Sequence, residues 1–322
     1  MSADLTAWGL LAAGLFAALL RATAPILLAA LGALVSEVAG CVNVALEGLM
    51  LIAAFFGVMG AVQAAHAWPA LAPWGHAAIG AAAGVLAAVL LTGLLAFFHL
   101  ELGADLIVGG IAINLLAAGL TVFLLAGWVG DKGSTAALAS PALPALHVPG
   151  LAGWPVLDHW LNGDAARGHH LLIWGAFAAV PAVWLLLHRT RAGRWMRAVG
   201  EHPAAAQGAG IPVKRIQYLA LFTSGALAGL AGVYLSLGYL TLFQADMSAG
   251  RGFLALAAVF LGARRLAGTL GASLLFGATA VLTTRLGWLS LPPQALQMLP
   301  PFITLCALAF AGRRFSSRNP TT

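Results

Sequence analysis

Uncharged apolar stretches recur along the whole chain, and each is about long enough to form a membrane-spanning helix. The stretch from Ile216 to Ala245 contains no charged side chain at all. Hydrophobic residues make up 61% of the chain and charged residues only 8%, whereas soluble domains carry about 25% charged residues. Because a water-soluble fold could not bury so much apolar surface, the sequence predicts an all-α, polytopic integral membrane protein.

Hydropathy predicts about ten spanning helices in a single transmembrane domain that covers residues 1–322. The predicted spans are 6–22, 24–42, 44–66, 76–99, 104–129, 171–188, 216–240, 250–264, 267–286 and 294–312. The first two spans and the 250–264 span are short or interrupted, so each is a candidate broken or re-entrant segment. The number of spans therefore has a margin of about two.

Two hydrophilic connections determine the predicted orientation. Residues 189–215 carry a cluster of Arg and Lys side chains against a single acid, Glu201, whereas residues 130–170 have little positive bias. Because Lys and Arg concentrate on the cytoplasmic side of membrane proteins, we expect 189–215 to be a cytoplasmic loop and 130–170 to be periplasmic. Ten crossings would then place both termini in the cytoplasm.

Recognisable catalytic chemistry is missing from the sequence. It contains no Gly-x-Ser-x-Gly elbow, no His-Glu-x-x-His helix and no Gly-x-x-x-x-Gly-Lys phosphate loop, so any ATP hydrolysis must occur in another chain. The formal net charge of +6 comes from short basic loops, so we expect no nucleic-acid binding. Cys41, Cys306 and the His169-His170 pair lack metal-site spacing, and we expect neither a metal nor a disulfide.

Polar side chains inside the apolar stretches are the candidate substrate-pathway residues, because polar groups in lipid usually face a cavity or a partner. Asn43 and Glu47 are four residues apart and would share one face of a helix. They lie in the glycine-punctuated segment 36–48, which is typical of a broken helix that lines a protected space. Asn114 lies inside the fifth span, where its amide offers both a donor and an acceptor. For these residues, hydrogen bonding between helices is the alternative role.

Residues 200–211 have the pattern of a short helix within the basic connection. Pro203 suits its first turn, the charge of Glu201 complements its N-terminus and Gly210 suits its end. A helix this short has too little apolar surface to be stable alone. We therefore expect it to dock onto a partner, or else to lie along the protein surface. The candidate docking residues are Glu201, Pro203, Ala204, Ala205, Gly208 and Gly210.

Four segments of the chain resemble the permeases of bacterial ABC importers for branched-chain amino acids, ribose-type sugars and nucleosides. The resemblance is strongest to the nucleoside and "simple sugar" branch, whose permeases work as unlike pairs. The matching segments, in the expected order, are 36–48, 199–211, 224–232 with 250–257 and Gly262, and 298–304. Val38 stands where the branch often has Arg, which leaves Glu37 without an evident charge partner.

This resemblance implies a fold of the vitamin-B12-importer type in the bacterial inner membrane. It implies three kinds of partner besides the lipid bilayer, namely a second permease subunit, a cytoplasmic ATP-binding subunit and a periplasmic or lipoprotein solute-binding protein. No cofactor would be bound by this chain, and ATP would be used by the partner ATPase. The helix around 204–208 would sit in a groove of the ATPase, so that ATPase closure would switch the open side of the permease.

The leading hypothesis is therefore a permease subunit for ATP-driven uptake of a nucleoside or a related small polar solute. A ribose-like sugar or an autoinducer is the alternative solute. An ion-coupled secondary transporter that acts alone belongs to a different class, and it would use Glu47 as its coupling site. A membrane-embedded enzyme is the third class, and it would need a reactive residue set that we do not find in the sequence.

Overall fold

The computed structural model describes residues 2–285 apart from residues 132, 139, 147–148, 150–157, 159–161 and 165–166. The helices are α1 (Ser2–Val38), α2 (Leu46–Ala67), α3 (Pro73–Leu100), α4 (Leu106–Trp128), α5 (Leu171–Arg189), α6 (Arg191–Glu201), α7 (Pro203–Gly208), α8 (Val213–Val233) with a π-helix (Tyr234–Tyr239), α9 (Arg251–Leu261) and α10 (Leu266–Arg285). Between α4 and α5, the strands β1 (Ala145–Leu146), β2 (Gly163–Asp164) and β3 (Arg167–His170) form a small antiparallel sheet in the order β1-β3-β2.

Seven helices in the described part of the chain are long and apolar enough to cross a bilayer. They comprise α1 from Leu11 onward, α2, α3, α4, α5, α8 together with the π-helix, and α10. This architecture confirms the predicted all-α, polytopic membrane protein. The predicted span 294–312 lies outside the described residues.

The first two predicted spans are a single helix, so the predicted boundary near residue 23 is wrong. Pro25 lies inside α1 and has no backbone N–H to donate to the carbonyl of Arg21, four residues earlier. The hydroxyl of Tyr234, at the start of the π-helix, donates to that carbonyl over 3.0 Å. Tyr234 is fully buried, and its hydroxyl replaces the helical hydrogen bond that proline removes. The helix therefore continues through Pro25.

Replacing Tyr234 by Phe is expected to lower the free energy of unfolding by about 1–2 kcal/mol, because the Arg21 carbonyl would lose its donor. Pro25→Ala in the same background restores a backbone N–H, so the double variant should recover most of that loss. Thermal unfolding of the detergent-purified chain measures both effects, with Tyr239→Phe as the control because the Tyr239 ring is half exposed. Equal losses in the single and double variants would contradict the assigned hydrogen bond.

The predicted span 250–264 is also wrong as a crossing helix. Only Arg251–Leu261 is helical there, which at 1.5 Å per residue is roughly 16 Å and about half the hydrocarbon thickness. Gly250 precedes the helix with a φ of 78°, a left-handed conformation that favours glycine. A tight turn follows α9 and leads into α10. Helix α9 is thus a half-helix, as the alternative of a broken or re-entrant segment allowed.

Helices α1, α2 and α8 form the interior of the bundle. In their most apolar windows, 78% of α1 and α2 is buried, against 28% of α3 and α4. Glycines allow the interior helices to pack backbone against backbone. A Cβ at Gly232 of α8 would collide with the Met50 carbonyl of α2, and one at Gly48 would lie 2.8 Å from the Cα of Asn114. Close approach through small residues is the usual packing of membrane helices.

The bundle has one end where its basic loops gather, here called the basic end. Residues 189–215 and the α9–α10 turn lie there, because Gly200 packs on Val38 and Arg264 pairs with Glu37, both at the end of α1. Since α1 is continuous, its N-terminal half points to the opposite end. With 189–215 on the cytoplasmic side, the expectation of an N-terminus on that same side is therefore wrong.

Candidate functional site

Helix α1 ends at Val38 and α2 begins at Leu46, which leaves residues 39–45 as a helix break within the membrane-spanning region. Gly40 turns the chain with a φ of 80°. The break then runs back into the bundle as far as Ser224, which lies near the middle of the Val213–Tyr239 span. The break predicted from the glycine-punctuated sequence is thus confirmed, and freed backbone groups at this depth need partners within the protein.

Asn43 fastens the helix break to α8. The side chain is fully buried, and its Nδ2 donates to Ser224 Oγ over 3.0 Å. Its Oδ1 accepts from the backbone N–H of Ala45 over 3.0 Å, which shapes the turn into α2. Because Asn43 precedes the first residue of α2, the prediction that Asn43 and Glu47 share one helix face is wrong.

Asn114 fastens the same break to α4. Its Oδ1 accepts from the N–H of Gly48 over 2.7 Å, and its Nδ2 donates to the carbonyl of Val44 over 2.9 Å. The first four N–H groups of a helix have no partner within the helix. Gly48 carries one of these groups at the start of α2. The amide of Asn114 therefore satisfies one donor of the helix terminus and one acceptor of the break.

Glu47 caps the half-helix α9 from across the bundle. Its Oε1 accepts from the N–H of Gly250 over 2.7 Å, and its Oε2 accepts from the N–H of Gly252 over 2.6 Å. A carboxylate at a helix N-terminus satisfies unpaired N–H groups and complements the positive end of the helix dipole. A Cβ at Gly252 would lie 2.8 Å from Glu47 Oε2, so glycine is required for this approach.

The three predicted pathway residues lie around one helix break, and each forms hydrogen bonds with a different part of the bundle. Asn43 binds α8, Asn114 binds the break from α4, and Glu47 binds α9. Each of these polar side chains has protein partners, which matches the alternative role of hydrogen bonding between helices. A role in shaping the solute pathway stays a prediction.

Glu37 has a charge partner that local sequence did not reveal. Arg264 Nη2 lies 2.8 Å from Glu37 Oε1, and the carboxyl side chain is only 5% exposed while the guanidinium is 63% exposed. Arg264 sits in the α9–α10 turn with a φ of 57°. It supplies the charge partner that the neighbouring Val38 does not. Glu37 and Glu47, on either side of the break, thus hold the two ends of α9.

Arg264→Gln is expected to lower the free energy of unfolding by about 1 kcal/mol, because it leaves the Glu37 carboxylate buried without its partner. The exposure of Arg264 keeps the effect small. Adding Glu37→Gln removes the uncompensated charge, so the double variant should be no less stable than Arg264→Gln alone. Denaturant unfolding of the two single variants and the double variant measures these differences. Arg215→Gln, which alters an exposed arginine at the basic end, is the control. A double variant with the summed loss of both singles would contradict the pairing.

The basic connection contains two helices where the sequence predicted one. Thr190 caps α6 by accepting from the N–H of Gly193. Helix α6 buries Gly193, Met196 and Val199 and exposes Arg191 and Arg194. At its end, a Cβ on Gly200 would collide with the carbonyl of Val38. Helix α6 is therefore in backbone contact with the last turn of α1, next to the helix break.

Helix α7 is the short helix predicted around residues 204–208. Pro203 occupies its first turn as expected. Gly210 ends it with a φ of 80°, and the N–H groups of Gly210 and Ile211 bond to the carbonyls of Gln207 and Ala206 in a Schellman motif. Glu201 is the last residue of α6 rather than part of α7, so its predicted place at the start of the same helix is wrong.

The candidate docking residues lie together on the surface of the basic end. Within α7 only Ala206 is buried. The exposed residues are Glu201, Pro203, Ala204, Ala205, Gly208 and Gly210. Nearby, Glu101 in the α3–α4 turn accepts hydrogen bonds from Lys214 over 2.7 Å and from Tyr218 over 3.3 Å. The bond from Lys214 lowers the pKa of Glu101 and shows that the α3–α4 turn lies at the basic end.

A cavity of about 400 Å³ lies toward the opposite end of the bundle, between α1, the π-helix, α9 and α10. Its polar walls include Arg21, Arg251, His170, Tyr234 and Tyr239. Burial lowers the pKa of His170, because it disfavours the charged imidazolium, while its hydrogen bond to the Leu143 carbonyl acts in the opposite direction. Apart from His170, which was considered only as a metal ligand, the sequence analysis had not singled out these residues, because they come from segments that are distant along the chain.

The described chain thus combines spanning helices, a half-helix that begins at mid-bundle and an exposed helix pair at the basic end. In a comparison with known families, residues 15–308 match the family described as branched-chain amino acid transport system permease components. The chain belongs to this family.

Three curated relatives match nearly the whole chain. A guanosine ABC transporter permease of Bacillus subtilis is 36% identical over 90% of this chain and 89% of the relative. A nucleoside ABC transporter permease of Lactococcus lactis is 32% identical, over 91% of both chains. A putative glucose ABC transporter permease of Haloferax volcanii is 31% identical over 95% of this chain and 94% of the relative. No solved structure matches the chain.

Proposed function

We propose that the chain is the transmembrane permease subunit of an ATP-driven importer for nucleosides or a related small polar solute. The main observation is the whole-length similarity to relatives named as guanosine and nucleoside permeases. A sugar is the second candidate solute, because a relative that matches 95% of this chain is named as a putative glucose permease. The transported molecule is expected to be small, polar and uncharged in either case.

The proposed partners are a cytoplasmic ATP-binding subunit, a second permease subunit and an external solute-binding protein, in the inner membrane of a bacterium. The basic end would face the cytoplasm, because it carries the Arg and Lys clusters. The ATP-binding subunit would receive α7, whose exposed small side chains leave room for a partner surface. ATP would be bound and hydrolysed by that partner, and this chain would bind no cofactor of its own.

A movement of α7 would be transmitted to the middle of the membrane through three successive contacts. Helix α6 connects α7 to the end of α1, through the contact of Gly200 with Val38. The end of α1 continues into the helix break, which Asn43 and Asn114 hold against α8 and α4. Glu37 and Glu47 flank the break and hold α9 at both ends. Rigid displacement of the break would therefore shift α9, the half-helix whose N-terminus lies at mid-bundle.

Reconstitution into lipid vesicles together with the ATP-binding subunit, the second permease and the binding protein tests the proposal. Uptake of radiolabelled guanosine should require ATP and all of the partners, and unlabelled nucleosides should compete for uptake while glucose does not. ATP-dependent uptake of radiolabelled glucose but not of guanosine would select the sugar instead. Gradient-driven flux by the purified chain without ATP would overturn the proposal in favour of an ion-coupled transporter.

A further inference from the structure

A second cavity, of about 500 Å³, opens at the basic end between α1, α5, α6 and the start of α10. Its size falls within the range of roughly 300–1,000 Å³ that is typical of ligand pockets. The described residues that line it are of two kinds. The apolar wall includes Leu34, Leu187, Leu266 and Leu270, and the polar groups include Arg197 and Arg265.

The charges at this cavity are unbalanced. Arg264 is paired with Glu37, and Arg197 donates to the carbonyl of Leu187, which does not neutralise its charge. Arg265 is exposed at the rim. Among the described residues, no carboxylate forms an ion pair with Arg197 or Arg265. The rim therefore offers positive charge to an anion.

The opposite wall of the cavity is suited to a hydrocarbon chain. Leu34 and Leu187 are buried at its base, and Leu266 and Leu270 continue it along α10. Trp184 stands at the rim with its ring partly exposed, and Arg189 lies over that ring at 5.5 Å. Tryptophan and arginine at the end of a spanning helix mark the level of the lipid headgroups. The cavity thus combines a cationic rim at headgroup level with an apolar wall below it.

We infer that this cavity binds an anionic phospholipid, with the headgroup phosphate at Arg197 and Arg265 and the first part of an acyl chain along the leucine wall. Basic pockets between membrane helices on the cytoplasmic side are suited to such headgroups. A soluble phosphate would use the arginines but leave the apolar wall without a partner. The inference does not depend on which solute the protein transports.

Lipid binding would bear directly on the transport elements. Arg264 lines the cavity and holds the turn after α9, while Val38 is the residue on which Gly200 packs. A lipid in the cavity would therefore contact both the ion pair at the end of α9 and the junction of α6 with α1. The proposed ligand stabilises the arrangement in which these elements are packed together.

Native mass spectrometry of the detergent-purified full chain, titrated with phosphatidylglycerol or phosphatidylcholine, tests the inference. The chain should retain one phosphatidylglycerol with an affinity at least about fivefold higher than that for phosphatidylcholine, since each basic residue contributes roughly 1 kcal/mol. Arg265→Gln removes rim charge, and Ala267→Trp fills the cavity without changing charge. Both variants should lose that preference, whereas Arg194→Gln, at an exposed arginine of α6 that does not line the cavity, should keep it.

Three outcomes would overturn the inference. Equal affinities for the two lipids would show that the cavity does not recognise an anionic headgroup. Equal losses in Arg265→Gln and Arg194→Gln would assign the preference to the diffuse charge of the basic end. The third outcome is that millimolar glycerol phosphate displaces phosphatidylglycerol while the Ala267→Trp variant keeps the wild-type lipid preference. That result would assign the arginines to a soluble anion. Ala267 is exposed, so its replacement leaves the helix packing intact and separates binding from folding.

Discussion

Glu47→Ala is expected to lower the free energy of unfolding by about 2–4 kcal/mol and to abolish ATP-driven uptake. The carboxylate is the acceptor for the N–H groups of Gly250 and Gly252, and each donor left unsatisfied inside the protein costs roughly 1–3 kcal/mol. Gly252 is buried, so water cannot readily replace the carboxylate there. Without this cap the first turn of α9 would fray, and the half-helix would lose its link to the helix break.

Glu47→Gln distinguishes the hydrogen bonding of the Glu47 side chain from its negative charge. The amide oxygen can accept from one of the two N–H groups, but the amide nitrogen cannot accept from the other. We expect about half the stability loss of Glu47→Ala and a partial retention of uptake. Thermal unfolding at a fixed scan rate gives the stability ranking, because membrane proteins commonly unfold irreversibly. Vesicle uptake with all of the partners gives the transport ranking.

The control for Glu47 is Glu101→Ala. Glu101 also accepts two hydrogen bonds, but it is exposed at the basic end, so water replaces its partners when it is removed. Its replacement should change the unfolding temperature little. Equal effects of Glu47→Ala and Glu101→Ala would show that the cap on α9 is not what stabilises the bundle. Complete loss of uptake in Glu47→Gln with normal stability would instead favour the ion-coupled alternative.

Hydropathy and glycine spacing predicted the spanning helices and the helix break, because both signals are local. The partners of the break were not predictable in the same way. Glu47 and Gly250 are 203 residues apart, and Glu37 pairs with Arg264 in a distant turn. No periodic pattern links such positions. The single α1 helix was missed for a related reason, since the hydroxyl that compensates for Pro25 belongs to Tyr234 in α8's π-helical extension.

Helix α6 shows a signal that was present in the sequence and was not used. Its arginines predicted a solvated cytoplasmic loop, and that prediction of position is consistent with the basic end. Gly193, Met196 and Val199 recur every three residues, however, and all three are buried on one face of α6. A basic amphipathic helix was therefore detectable. What the sequence could not provide is the contact of Gly200 with Val38, which depends on how α1 ends.

Gly208→Trp is expected to reduce ATP-driven uptake at least about tenfold without changing the unfolding temperature, since a steric clash against a partner costs several kcal/mol and 1.4 kcal/mol is tenfold. A Cβ at Gly208 meets nothing within 4 Å in this chain, and its φ is not left-handed. The chain itself can therefore accommodate a side chain there. Any loss of uptake would arise from the surface that docks on α7.

Two comparisons make the Gly208→Trp experiment specific to docking. Gly127→Trp places the same side chain at an exposed glycine near the C-terminus of α4, far from the basic end. A Cβ at Gly127 also meets no atom within 4 Å, and this variant should leave uptake unchanged. Ala206→Trp alters the buried residue of α7 and should lower stability as well as uptake. Co-purification of the ATP-binding subunit should fall with Gly208→Trp and not with Gly127→Trp. Unchanged ATP-driven uptake in both Gly208→Trp and Glu201→Gln, which alters the last residue of α6, would contradict the proposal that the α6–α7 pair is the contact with the ATP-binding subunit.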